Sequence, residues 1–354
     1  MGTLLATVLA QRCSLGDGMH PPPPFRSFGR VVVQDSTILK LPVALFPTYS
    51  GVGNGAETRV CNARIQAAFD LLAERMLHYS IDPYSKNDPL AGHELPLQRG
   101  DLVLRDRGYY SAEEIRRMKA DGADFIFRHK TGVTYLDPET RQPINLSDWL
   151  RSEGPLDRWV LLNDEQGTRV RLVAAPVDEQ IAHKRRCKLR RDIKGHNPSQ
   201  QLLELQDWTI FITSLPREQY SFDDLLAIYG LRWRIEIIFK AWKSHLKFHI
   251  LHDVSDTQLH ILLKARLLMI AACTLLLHGK APLSVWREHR RRVSLLKFMR
   301  QVAARPAVFI LAVHAQYGDG GEHQKFEEFL AKYCCYDKRK RQNYCDQLEL
   351  LGLT

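Results

Sequence analysis

Three carboxylates are placed where acidic side chains can do chemistry: Asp35, Asp106 and Glu236. Asp35 follows the apolar run RVVVQ (Arg30 to Gln34), a buried-strand signal, so it is expected at a strand end. Asp106 ends DLVLR (Asp101 to Arg105), another short strand, and precedes SAEEIRRMKADG. That segment offers a Ser111 N-cap, Glu114 three residues on and a closing glycine, which predicts a capping box and a helix stop. Asp106 therefore belongs on a strand-to-helix turn, where sites gather in open α/β sheets. Glu236 falls on a predicted helix. Carboxylates suit magnesium, which takes hard oxygen ligands. Two divalent ions ~3.5–4 Å apart activate a nucleophile and stabilise a leaving oxygen in phosphodiester hydrolysis and transfer. The plain alternative for Asp35 is a turn-starting residue. Asp101 and Glu57 read as structural acids.

The helix that must carry Glu236 is predicted from Leu225 to Leu246, LLAIYGLRWRIEIIFKAWKSHL. At ~100° per residue, Ile228, Leu231, Ile235, Ile238, Phe239, Trp242 and Leu246 share one apolar arc. Beside it runs a stripe of Tyr229, Arg232, Glu236 and Lys243, within ~60° around the axis. Arg232 can meet a phosphate with fork geometry and Lys243 as a point charge. An ordinary amphipathic helix with a solvated flank accounts for four such residues equally well. Arg234 and Lys240 read as surface charges.

The remaining elements follow from local pattern. The first 29 residues include MHPPPPF, a proline tract unsuited to helix interiors and central strands. Tyr49 to Ala56 is a glycine-rich loop without the Lys-Ser/Thr ending of a phosphate loop. Arg59 to Phe69 and Arg75 to Ile81 read as two strands, although FDLLAERML has competing helical propensity. Residues 82–100 read as irregular. From Ala123 to Leu215 short β-like runs alternate with turn signals, predicting a β-rich subdomain. Within it HKRRCKLRR, His183 to Arg191, reads as a solvated face or mobile loop, or as a phosphate-contacting segment in a DNA enzyme. Helices are expected over Gln258 to His278, Trp286 to Val302 and Glu322 to Leu351, the last containing the basic run Lys338 to Arg341.

The chain has 354 residues, enough for two or three domains, and 45% apolar content. Its 50 Lys plus Arg against 40 Asp plus Glu give a net charge of +10, which suits a polyanionic partner. Seven scattered cysteines with no CxxC pair argue against a zinc site and for free thiols. The run Leu267 to Leu277 is too short to span a bilayer and reads as a buried helix. The N-terminus lacks the charged start of a signal peptide. A soluble protein without a membrane partner is expected.

The spacing Tyr229-x2-Arg232-x3-Glu236-x6-Lys243 resembles the Y-R-E-K signature of bacterial insertion-sequence transposases, the insertion sequence four family of DDE transposases. VVVQDST around Asp35 and LVLRDRGYY around Asp106 resemble that family's first and second acidic blocks. The resemblance covers roughly residues 30–250. It implies an α/β fold: a ribonuclease H-like catalytic core interrupted by a β-rich insertion subdomain and followed by C-terminal helices. The corresponding division is a leader (1–29), the first part of the core (30–122), the insertion (123–216), the rest of the core (217–280) and a helical region (281–354). It implies Asp35, Asp106 and Glu236 as catalytic, metal-holding residues for two Mg²⁺ ions, with Mn²⁺ as substitute. It implies DNA-phosphate contacts from Tyr229, Arg232 and Lys243. Trp208 is implied as a stacking platform for an extruded base; packing in a small β core is the equal alternative.

The activity implied is cut-and-paste DNA transposition: cleavage and strand transfer at insertion-sequence ends. Double-stranded DNA, both inverted-repeat ends and target, is the implied partner, bound by a homodimer in the bacterial cytoplasm, associated with the nucleoid. Family members usually carry a helical end-binding domain before the first acidic block, whereas here 34 residues precede Asp35. A shortened copy is therefore one expectation, and a catalytically silent DNA-binding remnant or inhibitor is the alternative function. A ribonuclease H-like nuclease without strand transfer is a further one.

Overall fold

The computed structural model describes residues 23–51, 59–73, 75–86, 88, 90, 93–193, 196–245, 247, 249–277, 280–318 and 321–336. The first 22 residues, most of the glycine-rich loop and the basic run Lys338 to Arg341 lie outside the described residues. The chain forms two compact units of mixed α/β structure. One gathers residues 30–91 and 231 onward, the other residues 27–29 and 92–230.

In the first unit, strands β1 (Arg30–Lys40), β2 (Asn62–Asp70) and β3 (Arg75–Pro83) form an antiparallel meander. The helical propensity of FDLLAERML loses to pairing: Phe69 and Asp70 end β2, and a short turn leads into Arg75. Strand β1 is longer than its apolar run. The β-branched and apolar residues of Thr37-Ile38-Leu39 continue the ladder against β2, so Asp35 is interior to β1, opposite Ala67, and not at its end.

The second unit is built on strands β4 (Asp101–Arg105), β5 (Asp124–Arg128), β6 (Tyr135–Leu136), β7 (Pro143–Ile144), β8 (Leu156–Leu162), β9 (Arg169–Pro176) and β10 (Trp208–Thr213). They lie in the order β4-β5-β10-β9-β8-β6-β7, parallel between β4 and β5 and antiparallel elsewhere. Helix α1 (Ala112–Ala120) makes the crossover that the parallel pair requires. The Ser111 hydroxyl accepts from the Glu114 N–H, and Gly122 adopts φ +71° beyond the helix end. The other half of the expected capping box is diverted: the Glu114 carboxylate goes to Arg105 and Arg117. Helices α2 (Leu146–Glu153), α3 (Glu179–Asp192), α4 (Gln200–Glu204) and α5 (Phe222–Gly230) complete the unit. One buried cluster, including Val103, Ile115, Phe125, Phe127, Val160 and Ile212, joins α1 to the sheet.

The rest of the first unit is helical: α6 (Trp233–His245), α7 (Asp256–Leu276), α8 (Lys280–His289), α9 (Leu295–Ala304), α10 (Ala307–Tyr317) and α11 (Gly321–Phe329), continued by a π turn over Leu330–Cys334. Trp242 of α6 is fully buried against Phe69 and Phe239. Helix α7 is longer than the apolar run read from the sequence. Its 21 residues are apolar enough to cross a membrane, and Leu259, Leu263, Leu267 and Ile270 are buried within the unit. The helix expected over Trp286 to Val302 is two, α8 and α9: Arg290 turns left-handed at φ 50° and Ser294 caps the second. The five described cysteines are free.

The single helix expected over Leu225 to Leu246 is also two. Helix α5 stops at Gly230, Leu231 and Arg232 form a turn, and α6 restarts at Trp233. Glycine is a poor helix former, about 1 kcal/mol less favourable than alanine in a helix interior. The restart uses i→i+3 bonds, from the Arg234 N–H to the Leu231 carbonyl (2.9 Å) and from the Ile235 N–H to the Arg232 carbonyl (3.3 Å).

Candidate active site

In the first unit, β1 and α6 bring Asp35 and Glu236 to one cation, the Arg232 guanidinium. Its Nη1 donates to Asp35 Oδ2 at 3.3 Å across 197 positions of sequence, and its Nη2 donates to Glu236 Oε1 at 2.8 Å. Being in the turn before α6, Arg232 reaches Glu236 one helical turn on and the interior of β1 together. Its side chain is 9% exposed, while the carboxylates keep 19% (Asp35) and 35% (Glu236). Two carboxylates converging on one cation make a cluster of negative potential. That all-oxygen donor set fits a hard divalent ion, and the residual exposure leaves a hydrated ion room to approach.

Around β1 the neighbouring polar groups are tied down. Asp35 Oδ1 accepts from the Ser36 N–H (2.8 Å). The Ser36 hydroxyl, Arg64 and Gln66 all donate to Asp88 Oδ1, at 2.9, 2.7 and 3.1 Å. Lys243, on α6, donates to the Ile38 carbonyl at 3.2 Å, and burial pulls its ammonium pKa down.

In the second unit, Asp106 stands where β4 gives way to a single 3-10 turn, Arg107–Tyr109. It occupies the cap position with extended backbone and makes no side-chain capping bond, so its half-buried carboxylate is not spent on the turn. Arg105, one residue earlier, is wholly buried and pairs with the equally buried Glu114. Arg117 and His93 also reach Glu114, at 2.6 and 3.3 Å. Burial pushes the Glu114 carboxyl up, but the hydrogen bonds and charges of Arg117 and Arg105 outweigh it and leave its pKa lowered. Burial lowers that of Arg105 against the opposing pull of Glu114.

Tyr229, on α5, is buried. Its hydroxyl donates to the Arg105 carbonyl at 3.3 Å, and its ring lies 5.3 Å from that of Phe211. Trp208 opens β10, half-buried and packed against the core cluster of the unit, with its carbonyl accepting from Arg185 at 3.0 Å.

Sequence reading singled out neither the Arg105–Glu114 pair nor Asp88. The signal for the pair was present: a charged residue closing an apolar five-residue strand, and an acid at the third helical position. It also missed Glu288, His289 and Glu327, whose ligand atoms lie within 4.8 Å of one another. Burial, and then Glu288, push the Glu327 carboxyl up. Only the packing of α8 on α11 makes these residues neighbours.

Comparison with known proteins agrees with the sequence motifs. The family model "Transposase DDE domain" matches residues 26–274. The transposase of insertion sequence element IS231C from Bacillus thuringiensis subsp. berliner is 27% identical over 296 residues, covering 76% of this chain and 61% of the relative. The transposase of IS1151 from Clostridium perfringens is 23% identical over 266 residues, covering 69% and 56%. The chain thus spans about three-fifths of the length of the curated relatives it matches. The structure of a piggyBac transposase synaptic complex with hairpin DNA aligns at TM-score 0.44 and 8% identity, over 91% of this chain and 61% of that one, a likeness too distant to carry the fold. With the family model covering most of the chain, this protein belongs to the transposase DDE domain family.

Proposed function

We propose that this protein is a DNA transposase that carries out divalent-metal-dependent cleavage and strand transfer at insertion-sequence ends, on a ribonuclease H-like core. The observation that carries the reading is the meeting of Asp35 and Glu236 on Arg232, at 3.3 and 2.8 Å. Arg232 offsets one of the two carboxylate charges, so the cluster keeps a negative excess that favours a further cation. Asp106, with its carboxylate free of capping duty, is the third ligand in this reading. Asp35, Asp106 and Glu236 would hold two Mg²⁺ ions, with Mn²⁺ as substitute, and when bound these supply an activated nucleophile and charge neutralisation at the scissile phosphate.

The protein's own groups orient the reactants. Asp35 and Glu236 are held in place by Arg232, whose positive charge would also favour a phosphate oxygen. Lys243 adds a nearby positive charge. Water attacks phosphorus at the element end, the bond to the 3′ oxygen breaks, and the 3′-hydroxyl takes a proton. That hydroxyl then attacks a second phosphodiester, one P–O bond forming as another breaks. Each strand exchange conserves the number of phosphodiesters, so no energy-rich cofactor is required. Double-stranded DNA is the partner, two ends being paired by a homodimer in the bacterial cytoplasm.

The test is incubation of the purified chain with duplex carrying the flanking repeats, in Mg²⁺ or Mn²⁺. Nicks are expected, and Glu236→Ala should abolish them, by at least about a hundredfold for a lost metal ligand. DNA binding without any nick in either metal would overturn the catalytic reading.

A further inference from the structure

Folding sorts the basic run His183 to Arg191 into two kinds of cation. The run is helix α3, and the one residue the helix buries is Ala182. A helix with so little apolar contact needs another attachment, and Arg185 and Arg186 provide it. Arg185 donates to the Trp208 carbonyl (3.0 Å) and the Thr209 hydroxyl (3.1 Å). Arg186 pairs with Asp207 and with Glu179 at the start of the helix. Both arginines therefore fasten α3 to the beginning of β10.

Lys184, Lys188, Arg190 and Arg191 are left exposed. At ~100° per residue they fall within an arc of roughly 160° on the side away from Ala182. From Lys184 to Arg191 the helix rises about 10 Å. Duplex DNA carries one charge per ~1.7 Å of axis, so such a length faces several phosphates. Asp178 caps the helix and Glu179 is taken by Arg186; Asp192, 3.6 Å from Arg191, is the acid at the far end. Four like charges on one fixed rod repel one another, a cost that a polyanion removes.

We propose that α3 is a sequence-independent docking rod for duplex DNA, gripping phosphates through Lys184, Lys188, Arg190 and Arg191 while Arg185 and Arg186 hold the rod to its unit. The inference rests on the reading of the chain as a DNA transposase and adds to it a contact surface outside the acidic residues.

The experiment is fluorescence anisotropy with the full chain and a labelled 30-base-pair duplex of arbitrary sequence, without divalent metal, from 50 to 200 mM KCl. Neutralising all four cations to Gln should make the slope of log K against log salt shallower by roughly 3 to 4, and weaken binding at 100 mM at least about tenfold. Lys184→Gln and Lys188→Gln singly should each reduce the slope by about one, a readout that stands even if the fourfold variant folds poorly. An unmodified chain that binds with a steep slope, and variants that bind with the same slope, would overturn the docking rod and leave the transposase reading intact. An unmodified chain that binds no duplex at all would overturn both.

Discussion

Tyr229 shows how a side chain's role depends on where its one donor goes. Its place in the Y-R-E-K spacing implied a phosphate contact. In the folded protein the phenol is buried, and its hydroxyl donates to the carbonyl of Arg105, the residue before Asp106. The bond holds the peptide that sets the position of Asp106. Tyr229→Phe keeps the ring against Phe211 and removes that bond alone, worth about 1 kcal/mol. The metal concentration for half-maximal nicking is expected to rise about fivefold. DNA affinity without metal, and its salt slope, should stay as they were. A weakened affinity with unchanged metal dependence would instead assign the hydroxyl to phosphate. Arg232, by contrast, divides its donors between two carboxylates, Asp35 and Glu236.

At the scale of elements, the segment from β4 into α1 is held by an ion pair at its base. Arg105, on β4, and Glu114, on α1, have no exposed side-chain surface. Asp106 sits between them in sequence, so the pair ties the strand to the helix on either side of it. Removing one partner of a buried pair leaves the other charged and unsolvated, which costs about 3–5 kcal/mol. Glu114→Ala is therefore expected to lower unfolding free energy by about that amount in urea melts. A loss below about 1 kcal/mol would show that Arg105 finds other partners. Glu114 was legible as an N-terminal helix residue but not as a buried ion. Its spacing from Ser111 satisfies a capping rule, and nothing local reports that Arg105 and Arg117 converge on it.

For the molecule as a whole, stability should depend on pH through a histidine that the folded protein keeps neutral. Burial, and then the charge of Arg107, hold the His129 imidazole down to about 4 from the usual 6.5, while its ring meets the Tyr135 hydroxyl at 2.8 Å. The unfolded chain takes up this proton below about pH 6.5; the folded chain resists until about pH 4. The contribution is therefore fully present above pH 6.5 and is lost as pH falls through that window, by about 3 kcal/mol for the full shift. Melting temperature is expected to drop steadily from pH 6.5 to 4. In His129→Gln the slope should be smaller by about one proton. An unchanged slope would assign the acid sensitivity to carboxylates. At neutral pH the net charge of +10 favours association with a polyanion over the whole surface, and α3 concentrates part of that charge on one fixed helix.

Local pattern was enough to place β4, the Ser111 cap and the strand pair before them. Each depends on neighbours a few residues away: alternation, propensity, a hydroxyl three residues from an N–H. Three intervals between Tyr229 and Lys243, with two acidic blocks, were likewise enough to name the family. Tertiary structure decided what those intervals mean in space. The helix breaks after Gly230, freeing Arg232 to join Asp35 to Glu236, because reaching into β1 and one turn along α6 is possible from a turn. Strand β1 runs through Asp35, because pairing with β2 outweighs the polar residues that follow it. The charges of α3 divide into anchors and outward cations, because Asp207 and the start of β10 lie against one side of that helix only. A cation's partner comes from a distant part of the chain, and pairings of that kind leave no local trace.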